Sequence, residues 1–154
     1  MPAVAVTDTN NLFGALEFAQ AAAGTGIQPI IGSQLQLGLE GHQLVFIAQT
    51  ERGYKNLSQL VSEAFLETDP QDGAHVNWEQ LEACSDGLIC LTGGLAGPVG
   101  QYLLHNQQKE AEAVLKRLKK IFGDRLYLEL QRHGWQEEDR IETAMLDLAY
   151  KHDV

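Results

Sequence analysis

The residues of this chain able to do chemistry fall at four places that follow apolar, β-branched runs. Asp8 closes the run Ala3–Thr7 and stands in Thr7–Asp8–Thr9–Asn10. Gln34 ends Ile31–Gly32–Ser33–Gln34, and Gly93–Gly94 follows a run ending at Thr92. Glu129, Gln131 and His133 lie along Leu128–Glu129–Leu130–Gln131–Arg132–His133–Gly134. In β/α folds reactive groups gather at the C-terminal ends of strands, so these four places belong together. The chemistry that carboxylates and histidines could do there is metal-assisted phosphoester hydrolysis. That reaction needs several His and carboxylate ligands converging on two or three cations, which hold the phosphate and activate a water. Only Asp8, Glu129 and His133 carry suitable donors. Gln34 offers a neutral amide oxygen, and Gly94 offers no side chain. Asp8 fits a helix N-cap as well as a metal ligand, and His133 before Gly134 fits an ordinary loop histidine.

Other site types find less support. No G-x-x-x-x-G-K-[ST] loop, G-x-G-x-x-G fingerprint or nucleophile elbow is present. Gly93–Gly94–Leu95–Ala96–Gly97 lacks the lysine of a phosphate loop. His42, His75, His105 and His152 are scattered, with no pair at metal-ligand spacing. Cys84 and Cys90 do not form a CxxC pair, and their apolar neighbours point to reduced, buried thiols. The basic run Lys116, Arg117, Lys119, Lys120 falls in the last turns of a helix without interleaved aromatics. Dipole complementation and solubility account for it better than DNA binding.

Elements that alternate along the chain must position these groups. Strands are expected at Ala3–Thr7, Ile27–Leu37, His42–Gln49, Gly87–Thr92 and Leu126–Gln131. Helices are expected from Leu12 to Ala23 with Gly24 past the end, over Tyr54–Leu66, from Asn77 with Gln80 as capping-box partner, over 98–106, over Lys109–Phe122 and over Gln136–His152. This alternation predicts an α/β fold with a mostly parallel sheet or a barrel.

The 154 residues suit one domain, and 44% hydrophobic residues can build a core. A net charge of −10 repels phosphate backbones, so direct nucleic-acid contact is not expected. No apolar run approaches the ~20 residues that cross a bilayer, and no secretory signal is visible. The cytoplasm is the expected location. A strand directly after Met1–Pro2 and a helix ending at Val154 read as the cut ends of a fragment.

Five stretches, in this order, resemble the PHP (polymerase and histidinol phosphatase) domain of bacterial DNA polymerase III alpha subunits: Met1–Asp8, Gly26–Gly32, Gly53–Leu57, Gly87–Gly94 and Tyr127–Gly134. The resemblance covers nearly the whole chain, and its specificity lies in the order and spacing of the stretches. It implies a partial (β/α)7 TIM-like barrel, truncated at both ends, forming one domain over 1–154. Active family members open with His-x-His and close with Asp-x-His; the first would precede Met1 and the second follow Val154. Within the chain the family's Asp-His pair is Asp8–Thr9, its glutamate after Ile-Gly-Ser is Gln34, and its cysteine or histidine in the Thr-Gly turn is Gly94. Asp8 and His133 alone match, as vestigial candidates. The resemblance therefore implies an inactive segment of a DNA-directed DNA polymerase, without cofactor, that supports the rest of the polymerase chain and docks the proofreading exonuclease subunit. The competing implication is an active phosphoesterase, proofreading nuclease or histidinol-phosphatase-like enzyme, with zinc or manganese.

Overall fold

The computed structural model describes residues 1–154. Five strands form one sheet in the spatial order β1-β2-β3-β4-β5: β1 Ala3–Thr9, β2 Gln28–Leu37, β3 His42–Ala48, β4 Leu88–Leu91 and β5 Leu126–Tyr127. Six helices surround it: α1 Ala15–Gly24, α2 Glu51–Leu66, α3 Trp78–Ala83, α4 Pro98–Leu104, α5 Gln108–Phe122 and α6 Gln136–His152. No helix is long and apolar enough to cross a membrane.

The sheet is mixed, where the alternation of elements predicts a mostly parallel one. β1–β2 and β4–β5 are parallel, and β2–β3 and β3–β4 antiparallel. The cause is the connection Gly38–Gly41, a turn with both glycines at positive φ. A link this short can only reverse the chain, because a parallel crossover needs a dozen residues or more. The sheet is not closed into a barrel; β1 and β5 are its two edges.

The period-2 pattern of the strands builds one apolar face. Leu35 and Leu37 of β2, Leu44 and Phe46 of β3, and Leu88 and Cys90 of β4 are all buried. They join a single cluster with Leu57, Leu60 and Ala64 of α2 and Ala111, Leu115, Leu118 and Phe122 of α5. These are the i, i+3, i+4, i+7 positions that the sequence places on one side of each helix. Phe46 and Phe122 meet at its centre, ring centroids 5.8 Å apart. α1 stands apart from this cluster, with Ala15 and Ala22 its buried residues.

Two elements differ from their sequence reading in ways that bear on the site. β1 runs on through Asp8 to Thr9, and α1 starts only at Ala15 with Gly14 as its N-cap. Asp8 is therefore a strand residue, and the N-cap role is corrected. The turn between them is built by Asn11, which accepts from the Phe13 N–H at 3.1 Å and donates to the Thr9 carbonyl at 2.9 Å. β5 covers two residues rather than Leu126–Gln131. Its partner β4 ends at Leu91, and Gly93 and Gly94 both take positive φ. Beyond Tyr127 no extended backbone remains to pair with.

Candidate functional site

The sequence-predicted groups separate into two sets on opposite parts of the sheet. Asp8, Thr9 and Gln34 belong to β1 and β2, where Asp8 pairs with Ser33 and Thr9 with Gln34. Ser33, fully buried, donates its hydroxyl to the Asp8 carbonyl at 2.8 Å. Asp8 and Thr9 are exposed. The Gln34 amide N–H donates to the Gln43 side-chain oxygen on β3. Gln34 is thus one member of a cross-strand amide pair, through its N–H.

The second set gathers after β4 and β5. Thr92 is fully buried, and its hydroxyl oxygen accepts the Glu129 N–H at 3.0 Å. This side chain takes over the ladder where regular pairing stops. Gln131 donates its amide N–H to Glu129 Oε1 at 2.8 Å. Glu129 Oε2 is shielded from solvent and has no hydrogen-bond partner. Gly94 lies against the same amide: a Cβ built there would come within 2.5 Å of Gln131 Cδ and 2.6 Å of its Oε1. The space beside Gly94 is thus filled by the Gln131 side chain. Gly94, Glu129, Gln131, Glu138 and Met145 border a narrow cleft of about 230 Å³.

Glu138 organises the end of this set, and the sequence reading missed it. Read as part of an acidic helix start, it is 5% exposed and reaches back to the loop. Its Oε2 accepts the His133 N–H at 2.7 Å and the Trp135 N–H at 3.4 Å, and its Oε1 lies 2.7 Å from His133 Nδ1. Burial alone would push this carboxyl up; the donors from His133 and Trp135 outweigh it and hold the group below its usual range. The His133 ring also lies 5.3 Å from that of Trp135. His133 is therefore an oriented histidine rather than a free loop side chain. One residue earlier, Arg132 makes a two-pronged pair with Glu142, at 3.0 and 2.8 Å. The signal was available: a carboxylate at the third position of a helix, five residues after the histidine, faces back along the entering chain.

The remaining groups take local roles. His75 and His105 bond to the carbonyls of Gly73 and Gln101, and His152 lies 3.0 Å from Glu112. Three members of the basic run are engaged within the chain: Lys116 with Glu112, Arg117 with Glu82, and Lys119 with the Asp153 carbonyl.

Asp8 stands on β1 at one edge of the sheet, and His133 lies in the loop six residues past β5, the other edge. β2, β3 and β4 stand between β1 and β5. No group of three or more His, Cys, Asp or Glu side chains converges to hold a metal ion. The residues of this chain do not by themselves fit a multinuclear metal centre.

Fold and site together define an α/β domain with candidate polar groups at strand ends. The model of the PHP domain family matches residues 1–133. The chain belongs to the PHP domain family. It is 41% identical over 164 aligned residues to the DNA polymerase III subunit alpha of Caulobacter vibrioides, covering 100% of this chain and 14% of that protein. It is 40% identical to the same-named subunit of Rickettsia bellii, covering 100% and 13%, and 36% identical to that of Vibrio cholerae, covering 100% and 14%. The chain thus spans about one seventh of the length of these relatives.

Proposed function

We propose that this chain is the PHP segment of a DNA polymerase III alpha subunit, and that it serves as a non-catalytic scaffold and docking domain. Its parent would be a DNA-directed DNA polymerase acting in replication, and its first partner the rest of that polymerase chain. The proofreading exonuclease subunit is the further partner proposed for its surface. In this reading the five-stranded sheet is part of a (β/α)7 barrel, and the segment takes no cofactor and works in the cytoplasm.

One observation carries the non-catalytic reading. The positions at which the family places metal donors hold Thr9, Gln34 and Gly94. The amide of Gln34 is already bonded to Gln43, and the space at Gly94 belongs to Gln131. Gly94 is thus repacked around Gln131, so a donor at that position would have to displace this side chain. The docking role is tested by co-purification of the chain with the exonuclease subunit. Retention at micromolar concentration supports it, and absence of retention overturns it.

A second reading, a zinc- or manganese-dependent phosphoesterase or proofreading nuclease, has one observation in its favour. His133 is oriented by a carboxylate through Nδ1, as metal-ligating histidines commonly are, and Glu129 Oε2 is an unpaired acceptor nearby in sequence. The placement of Asp8 on β1, at the sheet edge opposite β5, counts against it.

A further inference from the structure

The largest unfilled concavity lies away from the strand ends described above. It opens between the β2–β3 turn and helices α3, α4 and α5, and encloses about 750 Å³, partly open to solvent. The part of it open to a small molecule is about 390 Å³, near the lower end of the range of about 300–1,000 Å³ typical of ligand-sized pockets. Its walls are apolar and aromatic: Leu37, Leu39, Trp78, Pro98, Tyr102 and Val114. Leu39 is 66% exposed at the tip of the turn, an apolar side chain left in water at the mouth of the cleft.

The polar groups at the mouth are of one sign. Glu40 accepts from the Tyr102 hydroxyl at 3.3 Å, and its Oε2 is 3.4 Å from His42 Nδ1. No lysine or arginine pairs with Glu40; His42 is its sole partner within ion-pair distance. Burial lowers the pKa of His42 against the pull of Glu40, so near neutral pH this ring does not cancel the carboxylate. The Tyr102 phenol is pushed up by burial and by two carboxylates, Glu40 and Glu110. Arg117, which stacks on the cleft's Trp78, is spent: its guanidinium lies 4.2 Å over that ring and pairs with Glu82.

We propose that this cleft is a docking site for a basic side chain, arginine or lysine, presented by a partner protein. The aliphatic stem of such a residue would lie along Leu37, Pro98 and Val114, as long basic side chains do on apolar surfaces. Its head would meet the Tyr102 ring face and the Glu40 carboxylate, combining cation–π and charge attraction. A purely apolar anchor would leave Glu40 without a cation, and an acidic one would be repelled by Glu40 and Glu110. The proposal concerns this cleft and the chemistry it takes, and it stands or falls separately from the exonuclease-docking reading.

The test is an NMR titration of the 154-residue chain with short blocked alanine peptides carrying one central arginine, norleucine or glutamate. The arginine peptide is expected to shift the Trp78 indole and the amides of Leu39, Glu40 and Tyr102, with weak, salt-sensitive affinity. Glu40→Gln, at an exposed side chain whose change leaves the fold intact, is expected to weaken it by about fivefold, the size an exposed ion pair carries. Tyr102→Leu should weaken it further while keeping the apolar wall. Equal binding of the norleucine peptide, shifts spread over the acidic surface away from the cleft, indifference to Glu40→Gln, or no shift at all would each overturn the proposal.

Discussion

Restoring a side chain at Gly94 is the most informative perturbation of the site. Gly94 has φ +52, a left-handed conformation, and the heavy atoms nearest an added Cβ all belong to Gln131, at 2.5, 2.6 and 3.0 Å. Two costs follow for Gly94→Ala. The left-handed backbone costs a residue with a Cβ about 1–2 kcal/mol. Displacing the Gln131 amide breaks its 2.8 Å bond to Glu129 Oε1, worth about 0.5–1.5 kcal/mol, and leaves both Glu129 oxygens without a protein donor. The sum is about 1.5–3.5 kcal/mol, or a fall in Tm of roughly 3–14 °C for a chain of this size. Gln131→Ala alone loses only the hydrogen bond. In the double variant the clash is gone and the backbone cost remains, so its destabilisation should be smaller than the sum of the singles by about 1 kcal/mol, read by urea titration of all four proteins. Strict additivity, or a Gly94→Ala protein as stable as the parent, would refute the reasoning that Gln131 occupies this position.

Three further outcomes follow from the same structure. Gly53→Ala should cost about 3 kcal/mol in chemical denaturation, because its Cβ would come within 1.9 Å of the Gly87 carbonyl oxygen and only backbone could give way; a neutral effect would refute that packing. Cys90, fully buried, and Cys84 have thiols pushed up by burial, so neither should react with a thiol reagent at pH 8 until the chain is unfolded. The hydrogen bonds from Lys116 and Lys151 hold the Glu112 carboxyl down at about 2, against an ordinary value of 4.5. Its folded pKa lies below its unfolded one, so its contribution is present above about pH 4.5 and is lost as pH falls toward 2. The stability difference between the parent and Glu112→Gln should therefore narrow across that window.

How far the sequence could be read depended on whether local or distant chemistry decided each element. α6 has the bounds Gln136–His152 expected from its acidic start and basic end, and the Asn77–Gln80 capping box forms as its spacing predicts. Both signals lie within a few residues of each other. The antiparallel pairing of β3 is also set locally, by the short Gly38–Gly41 link, against the parallel sheet that alternating strands and helices predict. β5 is short for a distant reason: left-handed backbone at Gly93 and Gly94, more than thirty residues earlier, ends its partner strand. Asp8 read as an N-cap because a polar residue after an apolar run marks a helix start, yet pairing with Ser33 on β2 extends the strand instead. The family was legible because its marks are backbone requirements as much as ligands; Gly53, within one of the five matching stretches, is fixed by its approach to Gly87. Glu138 was hidden because one residue satisfies two demands, the helix dipole and the His133 loop, and the first sufficed to explain it.

The reading of this PHP domain as a non-catalytic scaffold is tested most directly by its metal stoichiometry. The chain would be equilibrated with excess zinc or manganese, freed of loose ions and assayed for metal content and for hydrolysis of a model phosphodiester. Fewer than about one tightly held ion per chain and no hydrolysis above the buffer rate are expected, since a two-metal clamp is the least such chemistry uses. Two or more ions per chain, with hydrolysis abolished by His133→Ala, would contradict it.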